Sequence, residues 1–153
     1  MAIQVDSREQ KWAHIEAYFL QHGVKIVPNK CWVGDYTRFD NQTVCIDRKQ
    51  DLQELAGNLC QQHERFRAEM VRAQDVGIRL IFLIEHSVTV KSLDDVRNWV
   101  NPRLKTSPKA ITGARMAAIM ETMAQKYGVE WRFCRKADTG RIICEILGEP
   151  VVD

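Results

Sequence analysis

The chain has 153 residues, 45% of them hydrophobic and 27% charged, which is enough to bury a core and typical of a globular protein. A formal charge of +2 excludes a basic tail or a histone-like wrapper, so any surface that meets nucleic acid must be local. Five scattered cysteines, Cys31, Cys45, Cys60, Cys134 and Cys144, hold no C-x-x-C pair and read as reduced thiols of an intracellular protein, cytoplasmic or nucleoid-associated. Asp6, Arg8 and Glu9 come too early for a secretory leader, and no apolar run approaches the ~18 residues of a membrane span.

Ala2 to Val5 predicts a first strand. Ser7 is the candidate N-cap of a helix carrying Trp12, Ile15, Phe19 and Leu20, closed by Gly23. Val24 to Val27 predicts a second strand, broken by Pro28. Cys31 to Arg38 and Thr43 to Lys49 predict a β-hairpin turned at Phe39-Asp40-Asn41-Gln42. Asp51 opens a helix with Leu52, Leu55 and Leu59; Gly57 breaks it before a stretch through Phe66, Met70 and Ala73, which Gly77 closes. Arg79 to Ile84 is apolar on both faces, as a buried central strand is. Ser92 opens a short helix through Val96, Trp99 and Val100. Asn101 to Ala110 is a loop, the most basic in the chain through Arg103, Lys105 and Lys109. Thr112 to Tyr127 is a long helix with a core stripe of Met116, Ile119, Met120 and Met123. A last strand from Val129 to Phe133 and a terminal helix from Thr139 to Leu147 complete the chain. No repeat or linker divides it, so residues 1–153 read as a single α/β sandwich domain.

The chemistry concentrates on the hairpin. Side-chain alternation puts Asp47 and Lys49 on one face of the strand, and Val44, Ile46 and Arg48 on the other. Asp35, on the facing strand, adds a second carboxylate. Two acids and a lysine on a rigid element make a place for a divalent metal and a phosphate. Mg²⁺ takes few protein ligands, mostly carboxylates. A metal so held activates water and neutralises charge on phosphorus. In this reading Asp35 and Asp47 bind the metal, the backbone carbonyl of Arg48 adds a neutral ligand, and Lys49 orients the water or meets the phosphate charge.

Plainer readings exist for each residue alone. Asp6 and Glu9 suit a helix start, Asp35 a turn, Asp47 with Lys49 a surface pair, and Asp51 an N-cap. Cys60-x-x-His63 has no second pair, so no structural zinc is expected. His14, His22 and His86 read as solvated or helix-end residues, and Trp32 and Tyr36 as core rather than as platforms for an unpaired base. Arg103, Lys105 and Lys109 read as contacts to a DNA backbone.

Four motifs stand in order: Val5-Asp6-Ser7-Arg8-Glu9, Val33-Gly34-Asp35-Tyr36, Ile46-Asp47-Arg48-Lys49 and Asp51-Leu52. They resemble the V-D-x-R-E, V-G-D-Y, I-E-R-K and D-L motifs of XPF-type nuclease domains. Arg65-Phe66 and the run Ile81-Phe82-Leu83-Ile84-Glu85 resemble that family's next helix and central strand. The resemblance implies the restriction-endonuclease-like PD-(D/E)XK fold, a central mixed β-sheet flanked by helices. It implies cutting of branched, flapped or junction DNA with Mg²⁺ or Mn²⁺, in DNA repair or recombination. By the same resemblance Asp35 and Asp47 are the metal carboxylates and Lys49 the catalytic lysine, with Asp6 and Glu9 at the edge of the site. Arg8 and Arg48 pair with those acids or touch a phosphate, Arg65 meets DNA, and Asp51 is the trailing aspartate. Asp47 stands where the family usually has glutamate, which draws the metal closer to the strand. No helix-hairpin-helix module is present in the sequence, so one copy offers a small grip and a homodimer through the C-terminal helices is expected. The rival reading is an inactive nuclease-fold module that binds DNA or acts as a scaffold; retention of both acids and the lysine speaks against it. The site alone does not separate DNA from RNA.

Overall fold

The computed structural model describes residues 1–86 and 89–148, so the last five residues of the single-domain reading, 149–153, lie outside it. Strands β1 (Ala2–Val5), β2 (Lys25–Pro28), β3 (Tyr36–Arg38), β4 (Asn41–Lys49), β5 (Arg79–Glu85) and β6 (Glu130–Cys134) form one sheet in the order β2-β1-β3-β4-β5-β6. β3 is antiparallel to β1 and β4, whereas β1–β2, β4–β5 and β5–β6 are parallel. A parallel pair needs a crossover. Helix α1 (Ala13–Gln21) supplies the first, α2 (Leu52–Cys60) and α3 (His63–Asp75) the second, and α4 (Leu93–Arg97) and α5 (Gly113–Tyr127) the third; α6 (Thr139–Gly148) ends the described fold. The result is the expected mixed sheet between layers of helices.

The two faces of the sheet carry separate cores, and β5 explains why its sequence is apolar throughout. Leu80, Phe82 and Ile84 join the core beneath α2, α3 and α5, while Ile81 and Leu83 join the core beneath α1 and α6. The apolar side of α6 is spent inside the chain, with Ile143, Ile146 and Leu147 buried. No helix among the described residues is long and apolar enough to cross a membrane.

Several boundaries differ from those the sequence predicts, each for a local reason. The first helix begins at Ala13 rather than after Ser7. Asp6 accepts a hydrogen bond from Arg8 N at 2.9 Å and holds a turn, and Lys11 adopts a left-handed φ of 54°, which a helix cannot propagate. Leu20, placed by spacing on the apolar side, is 69% exposed. Helix α2 runs through Gly57 and stops at Gln61 instead. Trp99 and Val100 lie beyond α4.

The first arm of the hairpin is only three residues long, because Gly34 has φ +71° and breaks the extended chain. The turn tightens accordingly, with Arg38 paired to Asn41. A Cβ on Gly34 would stand 2.8 Å from the Ile46 carbonyl oxygen. Glycine therefore lets the loop that carries Asp35 lie directly on β4.

Candidate active site

Alternation along β4 sets the site. Cys45 enters the core beneath α2 and α3, so Asp47 and Lys49 emerge on that face, toward the C-terminal end of the strand. Asp47 Oδ1 and Lys49 Nζ stand 3.1 Å apart, each side chain 9% exposed. The lysine ammonium also lies 5.2 Å from the centre of the Phe66 ring, so its stem is packed and its head fixed. Burial works against its charge, but Asp47 and Glu69 outweigh it and raise the pKa. Lys49 is a held cation, not a base.

Asp35 enters from the loop before β3. Its N–H donates to the Ile46 carbonyl and its Oδ2 accepts from Arg48 N, both at 2.8 Å. Burial, then the charges of Asp47 and Glu9, push its carboxyl well above the usual range.

A third acid, which the sequence reading did not single out, comes from α3. Gly34 N donates to Glu69 Oε2 at 3.4 Å, while Glu69 Oε1 is buried and accepts nothing. Burial, then the neighbouring Asp47 carboxylate, push Glu69 up to about 10. Its signal was present as Arg65, Glu69 and Arg72, at i, i+4 and i+7 on one side of α3. A polar stripe of this kind is ordinarily a solvated helix face; here all three residues line one cleft of about 410 Å³ with Asp35, Asp47 and Lys49.

The raised carboxyl gives a pH dependence of definite sign. Above glutamate's ordinary 4.5 and up to about 10, the folded chain keeps a proton that the unfolded chain releases. Its stability contribution is whole below the ordinary value, falls as pH rises, and is gone once the folded value is passed. Without metal, going from roughly pH 6 to roughly pH 9 lowers the melting temperature by about 5 °C or more. Glu69→Gln, which cannot ionise, flattens that slope; equal slopes in both proteins would remove Glu69 as its source.

Among the described residues, no three His, Cys, Asp or Glu side chains close into a ready-made cage; Asp35, Asp47 and Glu69 border one cleft without converging on a point. Asp6 and Arg8 form its rim. The Asp6 carboxylate accepts from Arg8 N, Nε and Nη2 and from Cys31 N, all at 2.9 Å. Burial raises its pKa, but these hydrogen bonds prevail and leave it lowered. Its lone pairs are committed, so it is a clamp that ties the chain after β1 to the loop before β3.

A model of the ERCC4 domain matches residues 5–146. The chain belongs to the ERCC4 domain family. Its fold is similar to that of XPF from Aeropyrum pernix, with a TM-score of 0.69 at 17% identity, covering 96% of this chain and 63% of that one. The same relative in complex with DNA gives 0.67 at 17% identity, with the same coverage. This chain thus spans less than two thirds of that protein's length. Comparison with curated proteins yields no match.

In this ERCC4 domain two sequence-based assignments need correction. Arg48 and Glu9 do not bring their side chains to the cleft. Alternation turns Arg48 to the opposite face, where its side chain is 1% exposed. There it donates to Glu9 Oε2 at 3.1 Å and to the Gln10 carbonyl at 2.7 Å, and it pairs with Glu85. Glu85 Oε2 also accepts from Thr139 Oγ1 at 2.6 Å and lies 2.5 Å from His14 Nε2, so His14 is paired rather than solvated. From its side of the sheet, Arg48 reaches Asp35 through its backbone N–H.

The remaining candidates divide. Arg65 lines the cleft. Asp51 caps α2: its Oδ1 accepts from Glu54 N at 2.8 Å, and Glu54 Oε2 accepts from Gln50 N at 2.6 Å, a reciprocal capping box away from the cleft lining. Arg103 and Lys109 line a second cleft of about 180 Å³ with Gly57 and Gln61 of the α2 end, and Lys105 lines neither. Tyr36 is buried as expected, but Trp32 is 65% exposed.

Proposed function

We propose that this ERCC4 domain is a metal-dependent endonuclease that hydrolyses phosphodiester bonds in branched, flapped or junction DNA. The observation that carries this reading is the gathering of Asp35, Asp47, Glu69 and Lys49 around one cleft of the family's fold. The donors suit Mg²⁺ or Mn²⁺: they are hard oxygens, their mutual repulsion calls for a cation, and one buried carboxylate oxygen has no partner. Asp35, Asp47 and Glu69, with the Arg48 carbonyl, would hold the ion. Bound there, it supplies positive charge and a water of lowered pKa.

The chain's own residues do the rest. Lys49, held as an ammonium against Asp47, orients the attacking water or meets charge growing on the phosphate. Arg65 and Arg72 face the same cleft and neutralise backbone phosphates beside the cut. Arg8 stands at the rim, fixed by Asp6. Arg103 and Lys109, across α2, extend the basic path. The relative solved with DNA supports a nucleic-acid partner for this fold. A homodimer enlarges the grip of one copy, and a monomer by light scattering at working concentration would remove that part.

The test uses labelled flap, splayed-arm, junction and plain duplex DNA, with a single-stranded RNA control, in Mg²⁺, Mn²⁺ or EDTA. Cleavage near the branch with either metal and none in EDTA is expected. Binding without cutting under every condition would establish the inactive module instead.

A further inference from the structure

Trp32 stands out because nothing in the core accounts for it. Its neighbours are pinned: Cys31 is buried with its N–H on Asp6, and Val33 is buried in the core beneath α2 and α3. The ring between them is 65% exposed. A large aromatic side chain held outward by a fixed backbone is an unusual use of apolar surface. The Arg72 guanidinium lies 5.6 Å from the ring centre, and Arg72 Nε donates to the Trp32 carbonyl at 3.4 Å. Arg72 also lines the cleft with Asp35, Asp47 and Lys49. The ring, its covering cation and the acidic site therefore form one continuous surface.

We infer that Trp32 and Arg72 form a platform for one unpaired nucleobase beside the phosphate that enters the cleft. This rests on the nuclease reading and adds its selectivity. An aromatic ring accepts the face of any base, and an arginine beside it meets the adjoining phosphate. A base offers its face only where pairing and stacking are interrupted, as in a single strand or at a branch. Inside a duplex both faces are covered by neighbouring pairs. Trp32 thus selects DNA in which a strand leaves the duplex next to the cut, and it does so by chemistry that is indifferent to sequence.

The experiment follows tryptophan emission of the whole chain in EDTA, with oligo(dT) or a blunt duplex of equal length added. Trp12, Trp99 and Trp131 are partly buried, so quenching by a stacked base is dominated by Trp32. Oligo(dT) is expected to quench saturably and the duplex not to. Trp32→Ala is expected to abolish the quench and to weaken dT binding about 10-fold or more by fluorescence anisotropy. Trp32→Phe keeps a ring and binds within about 3-fold of wild type. Both variants are expected to melt like wild type, because the ring is exposed. On flap DNA with Mg²⁺, the loss in Trp32→Ala falls on KM rather than on kcat. If Trp32→Ala binds dT as wild type does, or if the duplex quenches equally, the platform is overturned. The two readings separate cleanly. A wild type that cuts flaps beside a Trp32→Ala variant of unchanged KM defeats the platform and leaves the nuclease. Quenching at Trp32 by dT in a protein that never cuts defeats the nuclease and leaves the platform. A protein that neither binds nor cuts defeats both.

Discussion

Asp47→Ala is expected to lower cleavage of flap DNA by about 10³-fold or more while leaving a folded chain. Asp47 is the acid that touches the other site groups electrostatically: it pairs with Lys49 at 3.1 Å, and its charge raises both Glu69 and Asp35. Removing it would take a carboxylate from the proposed cation site and takes the anchor from the lysine. A metal centre contributes several kcal/mol of transition-state stabilisation, and each ~1.4 kcal/mol is tenfold in rate. The fold responds differently. Without Asp47 the repulsion on Asp35 and Glu69 is relieved, and Lys49 keeps Glu69 as an acidic neighbour. Urea unfolding in EDTA is therefore expected to stay within about 1 kcal/mol of wild type, well inside the stability of a small domain. Mg²⁺ is expected to raise the melting temperature of the wild type and not that of the variant. Asp47→Glu, which installs the residue usual in the family, keeps the charge and is expected to cut measurably. Cleavage by Asp47→Ala within tenfold of wild type would sink the assignment.

The parts of this site that were legible in the sequence are those set by a local rule. Asp47 and Lys49 share a face because a strand alternates, and β4 is long and well paired enough to keep that alternation strict. The same rule places Arg48 opposite them. Motif resemblance draws Arg48 into the site, whereas its side chain follows alternation into the other core. Glu69 needed more than a local rule. Its i+4 spacing from Arg65 is visible, but only the packing of α3 over the sheet decides whether that stripe meets acids or water. Trp32 misled because the expected strand through it does not form: Gly34 breaks the extension, and with it the alternation that would have turned the ring inward. The start of α1 was hidden for a related reason. Asp6 takes a hydrogen bond from Cys31, 25 residues away, and no window of sequence contains that contact.

Arg48→Ala is expected to cost about 3–5 kcal/mol of stability, and to do so without being a loss of chemistry. Arg48 lies between two acids, the largely covered Glu9 and the buried Glu85, beside the core beneath α1 and α6. Truncation leaves both carboxylates in a low-dielectric setting with too few donors: Glu85 retains Thr139 and His14, and Glu9 loses its ion-pair partner. An uncompensated buried charge costs far more than the ion pair itself contributed. The network also ties β4 to β5, to the turn after β1 and to α6, so its loss loosens the strand from which Asp47 and Lys49 project. Two controls separate this from catalysis. Arg48→Ala combined with Glu9→Gln and Glu85→Gln removes the stranded charges and is expected to recover about half of the lost stability, because neutral amides no longer carry a desolvated charge. In that triple variant, kcat on flap DNA below its melting transition is expected to stay within about tenfold of wild type, far from the loss caused by Asp47→Ala. If the triple variant folds as stably as wild type but does not cut, Arg48 acts on the substrate despite lying on the far face of the sheet.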